Sequence, residues 1–294
     1  MSAAVHQPVP VTVVIPTIGR ADPLRRCLRS LATCVPRAEE VLVVDQGGDP
    51  EVAAVVAEHS GAGARLVPCT GRGVALGRNV GLRLARHETV CITDDDCTVS
   101  PDWIEVAHLL AERRPVEIVT GRVLPVGDPR RVPSTNDDPL PRDLSAKRVG
   151  GFLFPNNVVL PRDEVLAAGG FDERFGPEEA AEDNEFCYRW LKGGGRLSYE
   201  PSLVVHHHDW RTPEQLEALY VRYARGEGFF YAKHLRRGDL RMLRFLARDV
   251  VWAARGLLSA ALNGRESWTD SRRGILRGLP GGFVHGWRVY GRRT

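Results

Sequence analysis

Short apolar runs alternate with amphipathic stretches along the first two thirds of the chain. The segment ADPLRRCLRSLA (residues 21–32) places its apolar side chains on one helical face, and Asp22 and Pro23 are typical of a helix start. Helices alternating with strands predict an α/β fold, in which helices flank a mostly parallel, twisted sheet. Four apolar runs have the length of buried strands, at residues 11–15, 40–44, 64–68 and 89–93.

The same pattern predicts further elements. In a helix predicted for residues 73–85, Leu76, Val80 and Leu84 lie on one side. Residues 122–150 are rich in Pro, Asp and Arg with weak periodicity, which is typical of a long loop or lid. The other predicted elements are helices near 51–59, 101–112 and 178–195 and strands near 156–160 and 202–208.

Charge divides the chain into an acidic body and a basic tail. Of 40 Lys and Arg and 37 Asp and Glu in total, residues 209–294 hold 17 and 8, a net charge of +9. That leaves 23 and 29, a net charge of −6, for residues 1–208. We therefore expect a globular domain at 1–208 and a helical, basic extension at 209–294, with different partners.

The tail contains a helix with separate basic and apolar stripes. This pattern predicts contact with an anionic membrane surface, or a helix that packs on the body and keeps its basic side in water. No nucleic-acid-reading motif accompanies the charge, so we expect no nucleic-acid partner. The basic stripe is Arg241, Arg244, Arg248 and Arg255, and the apolar residues opposite include Leu243, Leu246, Val250 and Leu257.

No export signal or membrane-spanning segment is visible in the sequence. The first residues, MSAAVHQPVPV, lack the basic and apolar regions of a secretory signal. The best apolar stretch, residues 249–263, is interrupted by Arg255 and is shorter than the ~20 residues that span a bilayer. The six cysteines form no CxxC pair, which favours reduced, buried thiols. We expect a cytoplasmic protein that contacts the inner face of the membrane peripherally.

Polar residues follow three of the predicted strands at the point where each strand ends. They are PTIGR (16–20), DQGG (45–48) and the triplet Asp94, Asp95 and Asp96. Because ligands of open α/β sheets bind outside the carboxyl ends of the strands, we expect these clusters to meet at one site.

Three adjacent carboxylates repel one another, so their position after a strand needs an explanation. Strand alternation would put Asp94 and Asp96 on one side, where they could bind Mg²⁺ or Mn²⁺. The spacing also mimics a calcium loop, but Val99 stands where that loop needs glycine. A solvated turn that caps the next helix is the remaining alternative.

Two classes of nucleotide-binding protein with an α/β sheet, the nicotinamide-binding domains and the nucleotidyltransferases, do not fit the sequence well. A nicotinamide-binding domain needs G-x-G-x-x-G after the first strand, whereas PTIGR has one glycine. A nucleotidyltransferase also uses paired aspartates but carries a longer glycine-rich loop at that place. A catalytically silent nucleotide-sugar scaffold is the alternative from a different class.

Six segments resemble, in order and spacing, the signatures of family 2 glycosyltransferases with a GT-A (Rossmann-like) fold. The resemblance covers residues 11 to about 208 and implies that 1–208 is a catalytic domain that binds a nucleotide sugar. The segments are VVIPTIGRADPLRRCLRSL, VLVVDQGG, GRGVALGRNVGLRLA, ITDDDCTVSPDWI, AAGGFDERF and EDNEFCYRW.

The resemblance implies roles for individual residues. An Asp-x-Asp pair in this family contacts the ribose and holds the metal, here Asp94 and Asp96. Arg20 or Arg78 could bind phosphate, although either could equally be an ordinary surface arginine. The implied nucleotide and donor contacts are Pro16, Thr17, Arg20, Asp45, Arg78, Asn79, Asp94 and Asp95.

The reaction also needs a base for the acceptor hydroxyl. In EDNEF, Asp183 lies one turn before Phe186 on the face that turns inward, while Glu182 points elsewhere. Acidic residues also simply favour a helix N-terminus. The resemblance assigns the base to Asp183. It places the sugar and acceptor pocket at Gly169, Gly170, Phe171 and Glu182.

A histidine cluster, His206, His207 and His208, ends the last predicted strand. His206 and His208 would share a strand face, and a histidine here completes the metal site in several relatives. Satisfied histidines at a polar strand end are the alternative, and the sequence does not decide which of His206, His207 and His208 binds.

These inferences predict a metal-dependent inverting hexosyl- or deoxyhexosyltransferase. It would use Mn²⁺ or Mg²⁺ and a UDP-, dTDP- or GDP-sugar. The acceptor would be a hydroxyl of a glycan, as in the cell envelope, of a glycolipid or of a natural product.

Overall fold

The computed structural model describes residues 7–144, 153–208, 210–263 and 269–291. The predicted absence of an export signal falls mainly on residues 1–6, outside the described residues. The described chain forms two compact units, one from residues 1–172 and 186–209 and one from 173–185 and 210–294.

The first unit contains one mixed sheet with the strand order β3-β2-β1-β4-β8-β6-β9-β5, and β7 pairs with β9. Strands β3, β2, β1 and β4 are parallel, β6 and β9 form the longest parallel ladder, and β8 runs antiparallel between β4 and β6. The strands are β1 (Val9–Thr17), β2 (Ala38–Asp45), β3 (Ala64–Pro68), β4 (Thr89–Thr93), β5 (Cys97–Val99), β6 (Glu117–Val126), β7 (Arg142–Asp143), β8 (Asn157–Pro161) and β9 (Arg196–His208).

Helices cover the sheet, which confirms the predicted largely parallel α/β fold. The helices of the chain are α1 (Ala21–Ala32), α2 (Pro50–Glu58), α3 (Val74–Leu84), α4 (Trp103–Arg113), α5 (Arg162–Ala167), α6 (Glu182–Lys192), α7 (Pro213–Arg236), α8 (Arg241–Asn263) and α9 (Thr269–Val289).

Each face of the sheet supports its own core. Along β1, Val13 and Ile15 pack into one buried cluster and Val14 into the other, as strand alternation requires. Helix α1 buries Leu24, together with the other apolar residues of its predicted face. The apolar strand runs are therefore buried on both sides, which is why they read as continuous rather than alternating.

Helix α3 corrects the sequence prediction about its faces. Leu76 and Val80 are only half-buried and Leu84 is exposed. The buried face carries Arg78 and Asn79, whose polar groups find partners inside the first unit, as described below for the site. The remaining buried residues of this helix are Ala75, Gly77, Gly81 and Leu82.

The predicted loop at 122–150 begins later than expected. Strand β6 continues to Val126, and an isolated bridge joins Val123 to Asn136. Residues 145–150 of the predicted loop lie outside the described residues.

The second unit consists of residues 173–185 and the three C-terminal helices. Thr212 and Gln215 form a reciprocal capping box at the start of α7, and Pro213 occupies its first turn. Helix α9 presents Gly274, Gly278, Gly282 and Gly286, four residues apart, directly to the backbone of α7. A Cβ at any of these positions would lie less than 3 Å from an atom of α7. Within the described residues, no helix is both long and apolar enough to cross a membrane.

Candidate active site

The carboxyl ends of β1 and β4 meet at a buried ionic cluster. Thr17, the last residue of β1, donates its hydroxyl hydrogen to Asp95 Oδ2 at 2.5 Å. Arg20 donates through Nε to Asp95 at 3.1 Å and through Nη1 to Asp96 Oδ2 at 3.0 Å. Asp95 and Asp96 are almost fully buried. Burial raises the pKa of the Asp95 carboxyl, although the Arg20 guanidinium favours its charged form.

The triplet is a turn and not a continuation of the strand, which corrects the predicted alternation. Strand β4 ends at Thr93, and the chain re-enters the sheet at Cys97. Asp95 and Asp96 therefore contact the same arginine. The Asp94 carboxylate is 30% exposed and lies 3.7 Å from Nη2 of the buried Arg78. The positive charge of Arg20 thus offsets part of the repulsion among the carboxylates.

Asp96 also takes part in a candidate metal centre. Ligand atoms of Asp96, Cys97 and His207 lie within 4.8 Å of one another, and all three residues are buried. His207 Nε2 is 3.5 Å from Asp96 Oδ1, and in the described part of the chain neither ring nitrogen of His207 has a hydrogen-bond partner. Two orphaned imidazole nitrogens beside a carboxylate fit a divalent cation. Burial raises the pKa of the Cys97 thiol, which therefore fits a neutral neighbour better than a thiolate ligand.

Of the three histidines, His207 is the one whose ring is grouped with Asp96 and Cys97. It shares a strand face with the buried Leu203 and Val205, whereas His206 and His208 turn to the opposite face. His208 Nε2 lies 3.0 Å from the hydroxyl oxygen of Thr98. The predicted ligands His206 and His208 are thus not grouped with Asp96. The sequence held no signal for this choice, because Leu203, Val204 and Val205 are all apolar and both strand faces therefore carry apolar residues before the histidines.

The loop after β2 is held by hydrogen bonds to the side chain of Asp45. The Asp45 carboxylate accepts hydrogen bonds from the backbone N–H groups of Gly47 at 2.8 Å and Gly48 at 3.0 Å. Pro16 is buried, and a Cβ on Gly77 would lie 3.2 Å from it, so α3 packs closely on the end of β1. The predicted residues Pro16 and Asp45 therefore lie at the same edge as the ionic cluster and shape its loops.

Asn79 is engaged by the backbone of the Gly-Gly turn. Its Nδ2 donates to the carbonyl of Phe171 at 2.8 Å, and its Oδ1 accepts from the N–H of Phe171 at 2.9 Å. Gly169 and Gly170 have φ of +87° and +58°, and a Cβ on Gly170 would lie 2.6 Å from Asn79 Oδ1. Glycine is therefore required at Gly170 for both conformation and space. Asn79 positions this turn.

The predicted base lies at the start of α6, in the part of the helix that belongs to the second unit. Asp183 is half-buried and accepts from the backbone N–H of Asn184 at 2.8 Å. Glu182 was expected to point elsewhere, but it is only 4% exposed. Glu182 lies three residues before the buried Glu185 and four before the buried Phe186, so the buried face of the helix runs through Glu182.

A buried charge cluster lies beside Asp183 in the second unit. Lys233 Nζ donates to Glu185 Oε1 at 2.5 Å, and His234 Nε2 lies 3.0 Å from the same oxygen. Asn184 Nδ2 donates to Glu227 Oε1 at 2.5 Å. Burial, with the nearby charges of Asp249 and Asp183, raises the pKa of Glu227 to about 8. Sequence reasoning missed this cluster, because its members on α7 are about fifty residues from α6 and carry no motif.

The sequence of this chain is similar to those of known proteins. The model of "Glycosyl transferase family 2" matches residues 12–159. The pre-mycofactocin glycosyltransferase of Mycobacterium tuberculosis is 30% identical over 219 residues, which are 68% of this chain and 44% of that protein. The matched region thus spans less than half of the length of that relative.

Two solved structures share the fold. The mannosyltransferase PcManGT from Pyrobaculum calidifontis, in complex with GDP-Man and Mn²⁺, has a TM-score of 0.65 at 20% identity and covers 97% of this chain and 88% of its own. S. aureus TarS 1–349, in complex with UDP-GlcNAc, has a TM-score of 0.63 at 16% identity and covers 93% and 80%. The sequence matches the family model over half of the chain and the fold agrees, so this chain belongs to glycosyl transferase family 2.

Proposed function

We propose that this chain is a metal-dependent, inverting glycosyltransferase that moves a sugar from a nucleotide diphosphate sugar to an acceptor hydroxyl. The observation that carries the proposal is the buried cluster of Thr17, Arg20, Asp95 and Asp96. It lies at the carboxyl ends of β1 and β4, within the region that matches the family. Open α/β sheets bind their ligands at this edge. UDP-GlcNAc and GDP-Man in the two structural neighbours support a nucleotide-sugar donor. For this chain we propose a UDP-, dTDP- or GDP-sugar.

Asp96 and His207 would hold the divalent cation, Mn²⁺ or Mg²⁺. A cation bound there would stabilise the negative charge that develops on the leaving diphosphate. Arg20 binds Asp95 and Asp96 together and so fixes the carboxylate that faces His207. The predicted ligand Asp94, beside Arg78, would face the donor.

Asp183 would act as the base in a single displacement. It would take the proton of the acceptor hydroxyl, whose oxygen bonds to the anomeric carbon as the carbon–oxygen bond to the diphosphate breaks. The leaving diphosphate keeps that electron pair, and the anomeric configuration inverts. A raised pKa keeps Glu227 largely neutral near pH 7, so it adds little negative charge beside Asp183. Gly169, Gly170, Phe171 and Glu182 remain proposed contacts of the sugar and the acceptor.

A ligand screen tests the proposal. Thermal unfolding is measured with UDP-, dTDP- and GDP-sugars plus Mn²⁺, and a ligand at 100 times its Kd stabilises by about 2.7 kcal/mol. The best donor is then incubated with hydroxyl acceptors. Release of nucleoside diphosphate that depends on the acceptor supports glycosyl transfer. Release or consumption of pyrophosphate would indicate a nucleotidyltransferase. Binding without turnover would indicate a silent scaffold.

Two variants separate the proposed roles of metal ligand and base. Asp96→Ala should weaken Mn²⁺-dependent nucleotide binding as well as turnover. Asp183→Asn should lower turnover by ~10²–10⁴, the usual contribution of a general base, with little change in donor affinity. Equal loss of nucleotide binding in both variants, or near-normal turnover of Asp183→Asn, would show that Asp183 is not the base.

We also propose peripheral contact with an anionic membrane through α8. Leu243, Val250 and Leu258 are 49%, 39% and 62% exposed, and their spacing of seven and eight residues puts them on one stripe. Leu246 and Leu257 of the predicted apolar side are half-buried instead. The adjacent stripe carries the exposed Arg241, Arg244, Arg248 and Arg255, whose charge matches anionic lipid.

Vesicle co-sedimentation at low salt tests the membrane contact. The wild type should sediment with phosphatidylglycerol vesicles and not with phosphatidylcholine vesicles, and Leu243→Ser with Leu258→Ser should abolish binding. Concentration-dependent dimerisation through this stripe, without vesicle binding, would mean that a second copy covers it.

A further inference from the structure

The amide of Asn156 is buried and has no hydrogen-bond partner among the described residues. The residue is 1% exposed, and both Nδ2 and Oδ1 are shielded and unpaired. The side-chain amide of the next residue, Asn157, is hydrogen-bonded at both its oxygen and its nitrogen. Its Oδ1 accepts from Trp103 Nε1 at 2.8 Å, and its Nδ2 donates to the carbonyls of Arg122 and Leu203, each at 2.8 Å.

An unpaired buried amide needs an explanation, because nearly all buried polar groups in folded proteins are hydrogen-bonded. Replacing Asn156 by an apolar residue would remove two unsatisfied groups at little structural cost. A polar group that the fold itself does not use is typical of a group that a ligand uses.

Asn156 lies next to the aspartate triplet. Its carbonyl accepts the hydroxyl hydrogen of Thr93 at 2.9 Å. In the antiparallel pairing of β4 with β8, Thr93 is opposite Asn157. The following position of β4 and the preceding position of β8, Asp94 and Asn156, are therefore neighbours just beyond the last paired residues.

In the strand order, Asn156 lies beyond the triplet, on the side away from Thr17 and Asp45. Asp45 ends β2, Thr17 ends β1, the triplet follows β4, and Asn156 precedes β8, on the far side of β4. Adjacent strands lie about 4.8 Å apart, so β2 and β8 are separated by ~14 Å. A nucleotide sugar that lies across the strand ends with its base near β2 and its diphosphate at β4 would place its sugar at β8.

We infer that Asn156 binds hydroxyl groups of the donor's sugar and thereby selects the sugar. Hydroxyls both donate and accept hydrogen bonds, as the two ends of an amide do, whereas the oxygens of an ionised diphosphate only accept. A buried group that must be paired by a substrate hydroxyl rejects a sugar in which that hydroxyl is missing. The inference rests on the proposed function.

Two leucine variants test the inference without any ligand. Asn156→Leu should unfold at the same temperature as the wild type or higher, because it removes unpaired polar groups. Asn157→Leu, the matched control, should unfold several degrees lower, because it leaves the Trp103 N–H and two backbone carbonyls without their hydrogen-bond partner. An equal loss in both variants would overturn the inference, since Asn156 would then be a structural residue.

Titration with nucleotides completes the test. UDP, UDP-GlcNAc, GDP and GDP-mannose are titrated with Mn²⁺ into the wild type and Asn156→Leu. Affinity for the nucleotide sugar that the wild type binds should fall at least about 10-fold, while affinity for the matching diphosphate stays within about 2-fold. Equal weakening of both would place the amide on the ribose or phosphates, and no weakening of either would leave it bound to water. Either result would overturn the inference. A wild type that binds none of these four, and no other UDP-, dTDP- or GDP-sugar, would overturn the proposed function itself.

Discussion

Two neighbouring glycines of α9 should respond oppositely to the same substitution. A Cβ added at Gly282 would lie 1.8 Å from the carbonyl oxygen of Arg225 on α7, a backbone atom that cannot turn aside. A Cβ added at Gly281 would meet only Nη1 of the Arg225 side chain, at 3.5 Å. Gly281→Ala is therefore a matched control for Gly282→Ala in the same helix.

The two effects can be estimated separately. Alanine is favoured over glycine inside a helix by about 0.8–1.0 kcal/mol, and this gain applies to both variants. Overpacking costs typically ~1–3 kcal/mol, and only Gly282→Ala incurs it, because the contact would require α7 and α9 to move apart. We expect Gly281→Ala to be stabilising by up to about 1 kcal/mol and the two variants to differ by about 1–3 kcal/mol.

Hydrogen exchange read by mass spectrometry on peptides of α7 and α9 measures this difference locally. Each 1.4 kcal/mol corresponds to a tenfold change in the opening equilibrium, so exchange in Gly282→Ala should be roughly 5- to 100-fold faster than in Gly281→Ala. Equal protection in the two variants, or slower exchange in Gly282→Ala, would refute the close packing of the two helices.

Three further predictions concern the site and its surroundings. Asn79→Leu removes both hydrogen bonds to the Phe171 backbone, so it should destabilise by about 2–5 kcal/mol in a urea titration; lost nucleotide binding with unchanged stability would instead mean direct contact. Excess chelator should abolish transfer, and Mn²⁺ should restore it better than Ca²⁺, whereas full activity without metal would contradict the proposed centre. The pKa of Glu227 is raised to about 8, so the folded state binds this proton more tightly than the unfolded state does. Stability should therefore fall as pH rises from about 5 to 8, by up to ~1.4 kcal/mol per pH unit, with a smaller fall in Glu227→Gln; identical pH profiles would contradict the shift.

The sequence predicted the sheet because its strands are buried on both sides. Val11 to Ile15 in β1 are fully buried, and such a run has few alternatives to a central strand. The chemistry at the strand ends was also predictable, since Thr17, Arg20 and the aspartates stand where the apolar runs stop. The structure brings these residues together in one buried cluster.

Helix α3 could not be predicted correctly from periodicity. Apolar spacing favoured the side with Leu84, but the buried side carries Arg78 and Asn79. Asn79 is buried because its partner Phe171, 92 residues away, supplies both hydrogen bonds. Local patterns register hydrophobicity and hold no information about a polar partner that the fold brings from elsewhere.

The sequence by itself determined the alternation of strands and helices up to β4, the polar strand ends and the basic tail. Those features depend on hydrophobicity, turn residues and charge over a few neighbouring positions. Only the tertiary structure decided that His207 and not its neighbours lies against Asp96, and that Asn156 is unpaired while Asn157 is fully bonded. The physical reason is that the energy of a buried polar group depends on whether a partner lies within about 3 Å, and adjacent residues of one type differ in this only once the chain is folded.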